Sequence, residues 1–162
     1  MIGIVIVSHS NISKEFLVAL EHIVGKQDNM IAISILPNDD VEQKRNEIIG
    51  AVKKVNKNKG VIILTDMFGG TPSNLAISVM EEEKVEVVAG VNLPMLIKIS
   101  SLRNECEIKE LIKISQESGR KYMNVASAFF AINSLAQRYQ EQSGYDGKML
   151  TGTAPSTKGD TI

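Results

Sequence analysis

Two junctions in the chain carry side chains that can do chemistry together. One is Val7-Ser8-His9-Ser10, at the end of a β-branched run; the other is Asp66-Met67-Phe68-Gly69-Gly70-Thr71-Pro72-Ser73-Asn74, at the end of another. Phosphoryl transfer requires a nucleophile, a group that holds it, and donors for the equatorial phosphoryl oxygens. His9 supplies a nucleophilic ring nitrogen. Asp66 can hold the other nitrogen, fixing the tautomer and supporting the positive charge that develops. Gly69 and Gly70 let the backbone approach an anion closely, so their amides, with those that open the next helix, can point at it. Thr71 and Ser73 add hydroxyl donors. This scheme takes neither metal nor cofactor: a phosphohistidine donor is already activated, and no carboxylate cluster stands ready for magnesium.

Taken singly, these residues say little. A lone His after a strand is more often structural, and Gly-Gly-Thr-Pro is a common turn from strand into helix. The inference rests on the two junctions meeting. His22 lies near the C-terminal end of the first helical segment, where the helix dipole favours an imidazole, and is read as structural. Cys106, the one cysteine, makes neither an internal disulfide nor a multi-thiolate metal site, in keeping with a reducing, cytoplasmic compartment. Other chemistries fit less well. The chain has no Gly-x-x-x-x-Gly-Lys-Ser/Thr loop, no Gly-x-Gly-x-x-Gly fingerprint and no Trp to stack on a flavin or base. A receiver-type aspartyl phosphate at Asp66 would want an acidic pair where Ser8 and His9 stand. A Ser73-His9-Asp66 hydrolase would need a strained elbow that Ser73, inside a first helical turn, does not have.

The elements that must position these residues follow from periodicity. Ile2 to Val7 is a β-branched strand, followed by a helix in which Ile12, Phe16, Ala19, Leu20, Ile23 and Val24 recur on one face until Gly25. Met30 to Leu36 is a second strand, and a charged helix follows with Val41, Arg45, Ile48, Val52 and Val55 on one face. Val61 to Thr65 is a third strand. Thr71 is expected as N-cap and Pro72 as first residue of a helix to about Met80. A fourth strand, Val85 to Ala89, precedes a helix near Pro94 and another from about Ile108 to Ser118, which Gly119 is expected to close. A short strand near Tyr122 to Val125 comes last. Ile- and Val-rich strands alternating with helices mark an α/β fold of three layers around a mostly parallel sheet. The flavodoxin-like order 2-1-3-4 would make the first and third strands neighbours and set His9 opposite Asp66 at the switch point.

The chain's 162 residues, 43% of them apolar, suit a single domain with one core. Residues 1–126 are expected to form that domain. Residues 127–142 carry the spacing of a C-terminal helix, and residues 143–162, rich in Gly, Thr, Ser, Pro and Lys, read as a disordered tail. A formal charge of −1 offers no basic field for nucleic acid or an anionic membrane surface. The apolar runs are too short to cross a bilayer, and the N-terminus lacks the basic region of a signal peptide.

From Met1 to Val125 the chain resembles the mannose-family IIA component of the bacterial phosphoenolpyruvate-dependent sugar phosphotransferase system. The resemblance is carried by the His9 junction, by Thr65 to Asn74, and by Ala89-Gly90-Val91-Asn92-Leu93-Pro94-Met95-Leu96. It implies that His9 receives phosphate from the phosphocarrier HPr, that Asp66 is its hydrogen-bonding partner, and that Gly69, Gly70 and Thr71 belong to the phosphate-binding loop, with Asn92 to Met95 bordering the site. It also implies a homodimer in which a C-terminal antiparallel strand, here near Tyr122 to Val125, pairs with the partner's sheet. The family commonly has Thr before and Gly after the reactive His, where this chain has Ser8 and Ser10. Many relatives carry a fused IIB domain. The run Gly119 to Ser127 looks like stand-alone members from bacteria that keep HPr and its kinase but lack a matching sugar permease. The expected function is a cytosolic phosphocarrier passing phosphate from HPr to a IIB component. The alternative is a regulatory module whose partner, such as a regulatory kinase, reads the phosphorylation state of His9.

Overall fold

The computed structural model describes residues 1–80 and 84–128. Residues 1–123 form one compact unit; a second begins at Asn124, of which 124–128 are described and 126–128 make a helical turn. The expected helix over 127–142 and tail over 143–162 lie almost wholly outside the described residues.

Among the described residues of the first unit, four strands, β1 (Gly3–His9), β2 (Met30–Ile35), β3 (Val61–Thr65) and β4 (Val85–Ala89), alternate with five helices. The helices are α1 (Ile12–Val24), α2 (Val41–Val55), α3 (Thr71–Ile77), α4 (Leu93–Leu102) and α5 (Ile108–Lys121). The strands form one parallel sheet in the order β2-β1-β3-β4. Successive residues of β1 face opposite sides, and both sides are covered. Val5 and Val7 pack with Ile48, Val52 and Val55 of α2 and Leu75 and Ala76 of α3. Ile4 and Ile6 pack with Leu20 of α1, Leu96 and Ile99 of α4 and Leu111 of α5. Burial on both faces is why β1 and β3 read as unbroken Ile and Val runs.

Four local expectations are corrected. First, α1 turns Ser13 and Leu20 inward, while Ile12, Ile23 and Val24 stay exposed. The inward Ser13 is satisfied, its hydroxyl donating to Ile33 O at 2.9 Å and its amide to Ser8 Oγ at 2.6 Å. Second, α3 is capped by Gly70, with Thr71 and Pro72 already helical, since a first-turn amide has no intrahelical acceptor and proline forfeits nothing there. Third, Gly119 does not stop α5, which runs to Lys121. It is small because a Cβ there would come within 3.1 Å of Asn92 Nδ2 and 3.3 Å of Met95 Cε. Fourth, in the chain by itself Tyr122 to Val125 pair with no strand among the described residues: Tyr122 caps α5, and Met123 N turns back to donate to Arg120 O at 3.2 Å.

Candidate active site

The register places the two chemical junctions side by side. Val7 of β1 lies opposite Thr65 of β3, so His9, two residues on, and Asp66, one residue on, meet at the carboxyl edge of the sheet. The crossover from β1 to β2 runs over one face through α1, and that from β2 to β3 over the other through α2. The β1/β3 boundary is therefore the switch point of the sheet, where parallel α/β folds leave a crevice.

One oxygen of Asp66 holds His9 twice. Asp66 Oδ2 accepts the His9 backbone amide at 3.0 Å and lies 2.8 Å from His9 Nδ1; Oδ1 accepts the Met67 amide at 3.0 Å. A carboxylate can only accept, so the ring must carry its hydrogen on Nδ1, and in the neutral ring the lone pair is left on Nε2. Burial would by itself raise the Asp66 pKa, but the hydrogen bonds from the His9 ring, the His9 amide and the Met67 amide outweigh it and hold the carboxyl below its ordinary value. The Asp66 side chain is 14% exposed and that of His9 43%. The carboxylate is thus sheltered while the imidazole is open to solvent.

The ring is held from the other side by the glycine loop. A Cβ on Gly70 would stand 2.7 Å from His9 Cε1 and 3.2 Å from Nε2, so only glycine lets the loop pass so close. Gly69, at φ 83, adopts a left-handed turn that puts Gly70 there. Ser10 also has positive φ, 51, and its amide donates to Ile35 O at 2.9 Å, fixing the turn from β1 into α1.

Thr71 is exposed and lines, with His9 and Ser10, a cleft of about 440 Å3 whose other walls include Leu36, Pro37, Asp39, Lys44 and Leu75. Ser73 does not line it. It is fully buried, its hydroxyl without a hydrogen-bond partner. Of Asn92 to Met95, Leu93 shares a shallow groove with Ser10 and Ile12. Asn92 instead caps α4 by accepting from Met95 N at 3.0 Å. Met67 and Phe68, the latter 76% exposed, stand at the rim between the anchor and the glycines. Sequence reasoning did not single out this apolar rim or Lys44. Among the described residues, no three of His, Cys, Asp and Glu cluster in a way that could hold a metal ion.

The arrangement is one nucleophilic nitrogen, one anchoring carboxylate and a glycine turn against the ring. The family model for the PTS system fructose IIA component matches residues 3–116. The chain belongs to this family. A fructose-specific EIIA component from Bacillus subtilis (strain 168) is 30% identical over 132 residues, which is 78% of this chain and 88% of that protein. The mannose-specific EIIAB component of Escherichia coli (strain K12) is 33% identical over 129 residues, but the chain spans only 40% of that protein's length. The crystal structure of phosphotransferase system component EIIA from Streptococcus agalactiae matches with a TM-score of 0.73 at 29% identity, covering 79% of this chain and 99% of that one. This IIA component is accordingly a phosphotransferase of the phosphohistidine-carrier type. No helix among its described residues is long and apolar enough to cross a membrane.

Proposed function

We propose that this IIA component accepts a phosphoryl group from phospho-HPr on Nε2 of His9 and passes it to a IIB component. The observation that carries the reading is the double bond of His9 to Asp66 Oδ2, at 3.0 and 2.8 Å, because it commits Nδ1 as donor and leaves Nε2 as nucleophile. In the transfer, the Nε2 lone pair forms the new N–P bond while the P–N bond to the donor's imidazole breaks, its electron pair returning to the donor ring. The Nδ1 proton stays on the ring against Asp66, which balances the positive charge of the phosphorylated imidazole. The amides of Gly69, Gly70 and Thr71 and the Thr71 hydroxyl serve the equatorial oxygens. Onward transfer is the same displacement with the roles exchanged.

The exposed Met67 and Phe68 suit docking of a protein donor at the rim. The carrier acts in the cytoplasm, as a homodimer. In the described sheet β4 is an edge strand, and the exposed Tyr122, Met123 and Val125 are the residues that would reach a second copy. The test is transfer in stages: label from phosphoenolpyruvate through the general phosphotransferase enzyme and HPr, then incubation with purified IIB protein. Uptake followed by discharge to IIB is expected. Failure to take label from phospho-HPr would refute the reading; uptake without discharge would favour a regulatory role.

A further inference from the structure

The cleft beside His9 has one cation in its wall. Among the described residues that line it, Lys44 is the one Lys or Arg, and it shares the cleft with His9 and Thr71. The apolar residues Ile35, Leu36, Pro37, Val41 and Leu75 make up most of the remainder, and such walls strengthen any charge interaction between them. Lys44 Nζ donates to Glu47 Oε2 at 2.8 Å and lies 3.6 Å from Asp39 Oδ2. Its side chain is only 19% exposed.

A phosphoryl group on His9 changes the balance of charges there. It brings close to two negative charges toward a site faced by Asp66 from the turn after β3, by Asp39 from the turn after β2 and by Lys44 from α2, with the exposed Glu47 paired to Lys44 along the same helix. Two of the three side chains that face the site are carboxylates. We propose that Lys44 is the counter-ion of phosphorylated His9, turning its ammonium from Asp39 and Glu47 to the phosphoryl oxygens, so that phosphorylation re-pairs the charges at the start of α2. The proposal rests on the reading that His9 carries the phosphoryl group.

Both carboxylates can release Lys44 at small cost. Asp39 Oδ2 keeps the Leu36 amide, which donates to it at 2.7 Å, and Glu47 is exposed to water. A pair with the exposed Glu47 contributes little to stability, the Asp39 contact at 3.6 Å is long, and the flexible four-carbon stem of lysine lets the ammonium move without backbone change. The hydrogen bond to Glu47 outweighs burial and raises the Lys44 pKa, so the group is a cation wherever the reaction runs. The consequence is a phosphorylation-dependent change in the surface that α2 presents to a partner.

The experiment is 31P NMR of the full chain phosphorylated through HPr, as wild type, Lys44→Met and Lys44→Arg, with the transfer equilibrium against HPr measured in parallel. In Lys44→Met the pH midpoint of the phosphoryl resonance is expected to rise by about one unit, roughly a tenfold change in proton affinity. The equilibrium is expected to shift toward phospho-HPr by about the same factor, and Lys44→Arg to restore both. A Lys44→Met phosphoprotein with the wild-type titration and equilibrium would overturn the role of Lys44 while leaving phosphorylation of His9 standing. A wild type that takes no label would overturn both.

Discussion

Replacing Gly70 by alanine isolates the placement of the His9 ring from everything else the loop does. Gly70 has φ −83 and ψ 169, extended values open to alanine, so the substitution adds no backbone strain. The new Cβ would lie 2.7 Å from His9 Cε1, against about 3.5–4.0 Å for carbons in contact. The ring must therefore shift by roughly 1 Å. It can do so, being the partly exposed end of a side chain, but not without distorting the 2.8 Å bond from Nδ1 to Asp66. A bond to a charged acceptor contributes about 1.5–3 kcal/mol and here is distorted rather than lost, so the protein should still fold, with Tm lower by a few degrees. The reaction is more sensitive: a displacement of about 1 Å can cost on the order of 100-fold in rate. The assay is the initial rate of label uptake from limiting phospho-HPr, with a thermal melt alongside. Gly25→Ala is the control: Gly25 caps the end of α1 outside the site, its Cβ would meet nothing within 4 Å, and its φ of +81 strains the backbone, by about 1–2 kcal/mol. Gly70→Ala should be slow and nearly as stable as wild type, and Gly25→Ala less stable with a rate near that of wild type. A Gly70→Ala protein phosphorylated at the wild-type rate would refute the packing of ring against loop as a condition of the reaction.

Asp66→Asn should slow phosphorylation by about 100-fold through loss of the anchoring charge and should alter the acid limb of stability. Because the folded Asp66 pKa is lowered, its contribution is present above the ordinary carboxylate pKa, about 3.9, and is lost as pH falls through the folded value. The gap between wild type and Asp66→Asn in urea titrations should thus close in acid; a gap constant down through that range would contradict the assignment. Ser10→Gly relieves a left-handed φ of 51 and should stabilise the chain by up to about 1 kcal/mol, read as a higher denaturation midpoint, with phosphorylation retained. Gly3→Ala would bring a Cβ within 2.5 Å of Val55 O and 2.7 Å of Val55 Cγ2; backbone cannot yield as a side chain can, so a loss of about 3 kcal/mol is expected, and an unchanged midpoint would show that α2 is free to shift on β1.

Much of the fold is legible in the sequence because both faces of the sheet are covered. Continuous Ile and Val runs, broken by helical spacing, have few other solutions, and the order β2-β1-β3-β4 then brings His9 to Asp66. What was not legible depends on packing between segments remote in sequence. Gly119 has the composition of a helix stop, but its reason is Asn92 and Met95 of α4. Ser73 has the composition of a phosphate ligand, yet the turn that places Gly70 under His9 buries the Ser73 hydroxyl. Ile12 and Ile23 share a face with Leu20 on a helical wheel, but α1 is rolled so that Ser13 faces β2, where Ile33 O accepts its hydroxyl. Lys44 lies in a highly charged helix, where one lysine looks like any other until the cleft is seen.

The most direct test is the chemical form of the phosphohistidine. The protein, labelled with 15N in histidine, is phosphorylated through HPr, and the ring nitrogens of His9 and His22 are observed by NMR. Phosphate on His9 Nε2, with Nδ1 still protonated against Asp66 and His22 unchanged, is the expected result. Phosphate on Nδ1 of His9, or on His22, would contradict the role given to Asp66 and with it the mechanism.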